Sequence, residues 1–473
     1  MKAGKISMSA IALFLTMFLV VYINFNTSYW NDKTRVISND IISYYAYLPA
    51  TFIYDDFTLS FMNTRPDDYG NKFWPKVTPT GKYVIITSCG MSMLYFPFFI
   101  VAHPIAQYLG YEANGFSAPY KFAIILSSMV YLFVGLIFMR KLLLRYFTEP
   151  VTAFTIIGIM TGTNLLWYAT VEAAMTHIYS FSLISIFIYY FDKWHTNTSL
   201  KLTLWLGLLA GVISLVRPTN VVVLLILLLW KVTTLSEFKE RLLFFLKKWY
   251  LVVAMAAVFF IVWIPQFLYW KAVAGQYLYF SYPDSNHFYF GNPQLFNTMF
   301  SWRKGWLIYI PLMWVTLFGI GLLYKEKREF FLPVLVYFLV SWYVISSWWD
   351  WWYGGGFSIR PYIDSSSVFA FGLATFLTFI FKQGKWIKRT GITLFILLTM
   401  IGAAHHTKYF FGSIHWDSMT RKAYFDSLFR LRPSESFYSK IRAPDYELAR
   451  KGIYRYIDEA KENENSPENK PSD

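Results

Sequence analysis

The stretch VIITSCGMSMLYFPFFIVAHPIAQYLGY, Val84 to Tyr111, is apolar enough to be taken for a membrane crossing, yet it is poorly suited to one. It carries Pro97, His103 and Pro104, and a proline inside a helix removes a backbone donor and crowds the preceding turn. Its reading decides the side on which every later loop lies. If it crosses, RKLLLR (Arg140–Arg145), the basic run Lys231–Lys248, KEKRE (Lys325–Glu329) and KQGKWIKR (Lys382–Arg389) all face outward. If it lies along the outer face as broken interfacial helices, all four clusters become cytoplasmic, where Lys and Arg of short loops collect. The second arrangement is the expected one.

The rest of the chain is consistent with that choice. Of 473 residues, 56% are hydrophobic and 21% aromatic, more apolar surface than a soluble protein of this size can cover. Runs approaching the roughly 20 apolar residues that cross a bilayer occur near 7–25, 119–139, 150–169, 176–191, 201–216, 218–231, 249–270, 306–324, 330–346, 363–381 and 391–410. The expectation is an all-α polytopic membrane protein of about eleven transmembrane helices, with interfacial helices in a long outer loop, 26–118. The first run follows MKAGKIS and has no small-residue cleavage site after it, so it reads as an uncleaved helix with a cytoplasmic N-terminus. The net charge of +15 is then mostly topogenic and nucleic acid is not an expected partner. One cysteine, Cys89, excludes an internal disulfide and a cysteine-ligated zinc site. The polar tail, 412–473, ends in KENENSPENKPSD, which reads as disordered.

Four basic residues fall on the outer side, which should be poor in them: Lys82, Arg217, Arg303 and Arg360. Arg360 belongs to WWDWWYGGGFSIRPYID (Trp348–Asp364), where three glycines permit a tight backbone path or close approach to a ligand. The plainer reading of that stretch is an aromatic belt with an i,i+4 Arg360–Asp364 pair. Lys82 either meets a lipid phosphate or snorkels. Asp40 follows Ser38-Asn39 and is either a general base or part of a helix N-cap; spacing alone favours the cap. Glu172, His177 and Lys304 also lie on this side, as do the aromatic residues Trp352 and Tyr353, so all are candidate substrate contacts. Asp55-Asp56 and Asp67-Asp68 are solvated pairs before they are metal ligands. No metal site is assigned, and a divalent cation is the one cofactor left open.

The motifs GKYVIITSCGMSMLYFPFF, MTHIYSF, RPTN, SWRKGWLIYIP and WWYGGGFSIRPYID, with an acidic residue soon after the first helix, resemble bacterial GT-C membrane glycosyltransferases. The protein mannosyltransferase-like and lipid A aminoarabinose transferase-like enzymes are the members in view, and the likeness spans residues 1–411. It implies transfer of a sugar from a polyprenyl-phosphate donor to a lipid, glycan or protein acceptor at the outer face of the cytoplasmic membrane, with inversion. It assigns the catalytic role to Asp40, although Ile41 stands where the family often has Glu, and donor-phosphate contacts to Lys82, Arg303 and Arg360. The competing class is a lipid-linked sugar flippase or other transporter, which would need polar residues along several spans and usually internal repeats; neither is evident.

Overall fold

The computed structural model describes residues 7–64 and 75–456. The chain is mostly helical, and among the described residues the one sheet is a short antiparallel hairpin that pairs Lys76–Val77 with Tyr83–Val84. Among the described residues six segments are long and apolar enough to cross a bilayer: Met8–Asn31, Ala118–Leu143, Trp249–Ala274, Arg328–Ser346, Arg360–Lys382 and Lys385–Phe410. A helix satisfies all its backbone groups internally, so such segments are stable in lipid, and the protein is a membrane protein.

Several expected spans take another form. The run 150–169 is divided where Thr163 turns to extended backbone, giving helices Glu149–Gly162 and Leu165–Thr170. The run 218–231 starts as a 3-10 stretch, Pro218–Leu224, before one short α-helix, Leu225–Leu229. The stretch that decides the topology also departs from expectation. It forms one helix, Gly90–Tyr108, that continues through both prolines. Contacts at its N-terminal end hold it. Ser92 Oγ donates to the Tyr44 carbonyl, Tyr95 Oη to the Ala174 carbonyl, and Ser88 Oγ to Leu215 O at 2.5 Å. Gly90 permits the approach: a Cβ there would lie 2.5 Å from the Leu215 carbonyl carbon.

These bonds set the short helices of the first loop against the bundle. Tyr45 Oη donates to Gly115 O at 2.5 Å and Tyr47 Oη to Thr87 O at 2.7 Å, which anchors Asp40–Tyr45 and Tyr47–Phe52. At the opposite end of the bundle, buried Asp192 gathers basic-loop residues. It accepts from the Arg145 guanidinium, from Lys231 Nζ at 3.0 Å, Tyr146 Oη at 2.5 Å and Trp230 Nε1 at 3.0 Å.

Lipid tails are as apolar as leucine, so helices in a membrane associate through close packing at small residues rather than through exclusion of water. The helices Leu312–Glu326 and Ser366–Lys382 meet at Gly319 and Gly372, where a Cβ on Gly319 would stand 2.0 Å from the Gly372 carbonyl oxygen. Gly207 lies similarly against the Met255 carbonyl, at 2.5 Å for an added Cβ. Gly319→Ala should therefore lower thermal stability in detergent by the equivalent of about 1–3 kcal/mol of overpacking. Gly321→Ala, two residues on, with nothing within 4 Å of its added Cβ, should be neutral. Equal melting temperatures for the two variants would contradict this packing.

Candidate functional site

Asp40 opens the helix Asp40–Tyr45. The backbone before it is held in the left-handed region at Val36 (φ 71°) and Asn39 (φ 49°), a conformation that costs energy for side chains of this kind and is common where a site is fixed by its surroundings. Asn39 makes no side-chain cap bond, so the N-cap reading of Ser38-Asn39-Asp40 does not hold. The Asp40 carboxylate instead accepts from Arg360 Nη2 at 2.7 Å, across 320 positions of sequence.

Arg360 and Asp364 do not pair with each other. Residues Arg360–Ser365 form a 3-10 turn, whose tighter winding removes the i,i+4 stacking of an α-helix. Asp364 faces a buried network. His177 Nδ1 lies 2.8 Å from its Oδ1, the geometry of an imidazole N–H donating to a carboxylate. Asn220 Nδ2 donates to Oδ2 at 3.0 Å and Arg217 Nη1 at 3.5 Å. The partner of the unexpected outer arginine, Arg217, is thus Asp364, and His177 is a buried member of the same network.

Asp40 and Arg360 line a cavity of about 1030 Å³ at the end of the bundle away from Asp192. Glu172 lines it too, accepting from Trp167 Nε1 at 3.1 Å, and burial pushes its carboxyl above the ordinary range while Arg360 and Lys304 pull the other way. Lys304 sits behind the wall, its ammonium donating to the Gly356 carbonyl and so holding the glycine loop. The three glycines have separate reasons. A Cβ at Gly356 would meet Tyr168 Oη at 2.5 Å, and those at Gly354 and Gly355 would meet Asp350 Oδ2 at 3.4 Å and the Trp416 ring at 3.3 Å.

The other predicted residues are elsewhere. Lys82 is exposed beside the hairpin with Nζ on the Ala272 carbonyl at 3.1 Å, outside the residues that line the cavity. Arg303 donates to the Asp417 carbonyl at 3.1 Å and lies between the Trp352 and Tyr456 rings, 5.2 and 4.9 Å from their centroids. Its charge is absorbed by π faces and a carbonyl, so the expected convergence of Lys82, Arg303 and Arg360 on Asp40 reduces to Arg360. Trp352 is buried against Tyr446, and Tyr353 donates to the Ile345 carbonyl at 2.9 Å with the Arg217 guanidinium 5.9 Å from its ring. Asp56 caps its own turn, accepting from Thr58 N at 2.8 Å and Ser60 Oγ at 2.6 Å. Asp67 and Asp68 lie outside the described residues, as does the KENENSPENKPSD end. Among the described residues no group of three or more His, Cys, Asp or Glu is gathered for a metal ion.

Sequence reasoning passed over the contribution of the tail. Residues 412–456 fold back on the loops: Tyr289 Oη donates to the Arg450 carbonyl, Asn292 Nδ2 to Gly452 O at 3.0 Å, and Lys408 to the Leu428 carbonyl. His415, Trp416 and Tyr438 line the cavity. The one available signal was the aromatic content of FFGSIHW before the polar composition takes over.

No family model and no curated protein matches the sequence. Among solved structures, the apo oligosaccharyltransferase of Archaeoglobus fulgidus is similar at 10% identity and TM-score 0.50, covering 83% of this chain and 55% of that one. The oligosaccharyltransferase AglB of the same organism, in complex with an inhibitory peptide and a dolichol-phosphate, is similar at 10% identity and TM-score 0.49, covering 88% of this chain and 57% of that one. The chain spans little more than half the length of these structures. At such identity the likeness reaches the fold alone.

Two buried groups, Asp350 on the cavity wall and Lys304 behind it, make stability depend on pH. Burial, with the charge of Asp417, raises the Asp350 carboxyl from the usual 3.8 to about 7, and burial lowers the Lys304 ammonium from 10.5 to about 7. Between about pH 4 and 7 the folded protein holds a proton at Asp350 that the unfolded chain has released, so this contribution weakens as pH rises. Above about pH 7 the unfolded chain holds a proton that folded Lys304 lacks, so stability rises again towards the ordinary lysine range. In melting curves between about pH 5 and 9, Asp350→Asn should flatten the falling arm and Lys304→Met the rising arm. Parallel profiles for all three proteins would remove both assignments.

Proposed function

We propose that this protein is a membrane glycosyltransferase that moves a sugar from a polyprenyl-phosphate donor to an acceptor, with inversion at the anomeric carbon. The observation that carries the reading is the Asp40–Arg360 pair on the wall of a 1030 Å³ cavity. A half-exposed carboxylate and a guanidinium with N–H groups to spare are the two groups this chemistry requires. Asp40 accepts the proton of the acceptor O–H or N–H, and the released lone pair forms a bond to the anomeric carbon. The bond from that carbon to the phosphate oxygen breaks, and its electron pair leaves with polyprenyl phosphate. Arg360 stabilises the charge growing on that oxygen, as a preorganised cation does at a leaving group. Asp40 occupies only one of its five donors, so the same guanidinium is able to orient the base and hold the phosphate. Lys82 and Arg303 have no part in this reading, and neither does a divalent cation.

Support for orientation comes from charge. RKLLLR, Lys231–Lys248, KEKRE and KQGKWIKR gather at the end of the bundle opposite the cavity, around Asp192 and the Lys382–Glu326 pair. The positive-inside rule favours that end as the cytoplasmic one, which supports a cavity at the outer face and an N-terminus inside. The GT-C fold and the motif resemblance support a lipid-phosphate donor in the cytoplasmic membrane.

Asp40→Asn should lower sugar release from a polyprenyl-phosphate hexose in detergent by about 10²–10⁴-fold, the range for a general base, with an unchanged melting temperature. Wild-type rates in that variant would exclude Asp40 as the base.

A further inference from the structure

The cavity has a second polar feature, apart from Asp40 and Arg360. Asp350 lines it, is 8% exposed, and its Oδ1 has no hydrogen-bond partner among the described residues. A buried carboxyl oxygen without a partner is costly to keep, and the residue that carries it stands on the cavity wall. The consecutive glycines explain that space: position 354 faces the Asp350 carboxylate and position 355 the Trp416 indole, and neither carries a side chain to fill the gap between them. Trp416 is 51% exposed and also lines the cavity. The surroundings are mixed in charge, with Arg360 and Lys304 acting on Asp350 as cations. Asp417 is close enough for its charge to act on Asp350, and its own Oδ1 likewise has no partner among the described residues.

Phosphate and carboxylate ligands fall to Arg360, a cation that lines the cavity beside Asp40. What fits a carboxyl group with an unpartnered oxygen beside an exposed indole is a ring with hydroxyls on its rim and C–H groups on its face. We propose that Asp350 and Trp416 form a saccharide subsite, the carboxylate accepting from ring hydroxyls and the indole stacking on the pyranose face. This rests on the proposed transfer function and adds to it a polarity: phosphate at Arg360, sugar against the wall made by Asp350 and the folded-back tail. The saccharide is either the donor's sugar or a glycan acceptor, and the two are separable.

The test uses the full-length protein in detergent and three probes: methyl α-D-hexopyranosides of gluco, galacto and manno configuration, farnesyl phosphate, and farnesyl-phosphate hexose. Saturation-transfer NMR should detect at least one methyl hexoside through its ring protons. Asp350→Asn and Trp416→Ala should each weaken that binding by roughly tenfold, as loss of a charge-assisted hydrogen bond or a stacking face implies, and Trp416→Phe should restore much of it. Farnesyl phosphate binding should survive these variants and be lost in Arg360→Ala. If Trp416→Ala weakens farnesyl-phosphate hexose but not farnesyl phosphate, the subsite takes the donor sugar; if it weakens only the methyl hexoside, it takes the acceptor. Hexoside binding that is absent, or indifferent to both variants, while farnesyl phosphate still depends on Arg360, overturns the subsite and leaves the transfer function standing. Farnesyl phosphate binding indifferent to Arg360 is the separate failure of the transfer reading.

Discussion

The buried carboxylate of Asp364 is the interaction on which the site depends. It takes donors from three places: His177 at the start of one helix, Arg217 at the end of another, and Asn220 in the 3-10 turn after it. A charge held this far from water is tolerated only when it is paired and hydrogen-bonded on several sides. The requirement works as a constraint in reverse, because the elements must converge for the carboxylate to be satisfied. Arg360 stands four residues earlier on the same 3-10 turn. Once Asp364 is anchored, the Arg360 guanidinium has little choice of direction and meets Asp40.

A second set of contacts brings Asp40 to that meeting. The first-loop helices bury Tyr45 and Tyr47 and spend their hydroxyls on backbone carbonyls of Gly115 and Thr87. The Gly90–Tyr108 helix pins them to the bundle through Ser92 and Tyr95. The two halves of the pair therefore arrive on independently fixed supports.

The cavity has a division of labour by charge. Cations that serve the site directly or hold its wall, Arg360 and Lys304, contact a carboxylate and a glycine-loop carbonyl. Arg303, next in sequence to Lys304, turns the other way and is spent holding the tail between aromatic faces. The tail in turn supplies His415, Trp416 and Tyr438 to the cavity. Arg303 thereby contacts the segment that completes the wall.

The sequence alone determined the membrane class, the approximate place of the long apolar helices, and the end of the bundle on which each cluster of charge lies. It also singled out Asp40, Glu172 and Arg360 among the residues that line the cavity. These were legible because hydropathy and charge bias are additive along a segment and need no knowledge of neighbours. Only the tertiary structure decided which outer cation faces the carboxylate, that Asp364 belongs to His177, Arg217 and Asn220, that the prolines of Gly90–Tyr108 do not break it, and that a polar tail forms a wall. Each of those outcomes is a competition among distant partners: a guanidinium chooses between a carboxylate, a carbonyl and a ring according to which one the packed helices bring within about 3 to 6 Å, and that choice has no signature in local sequence.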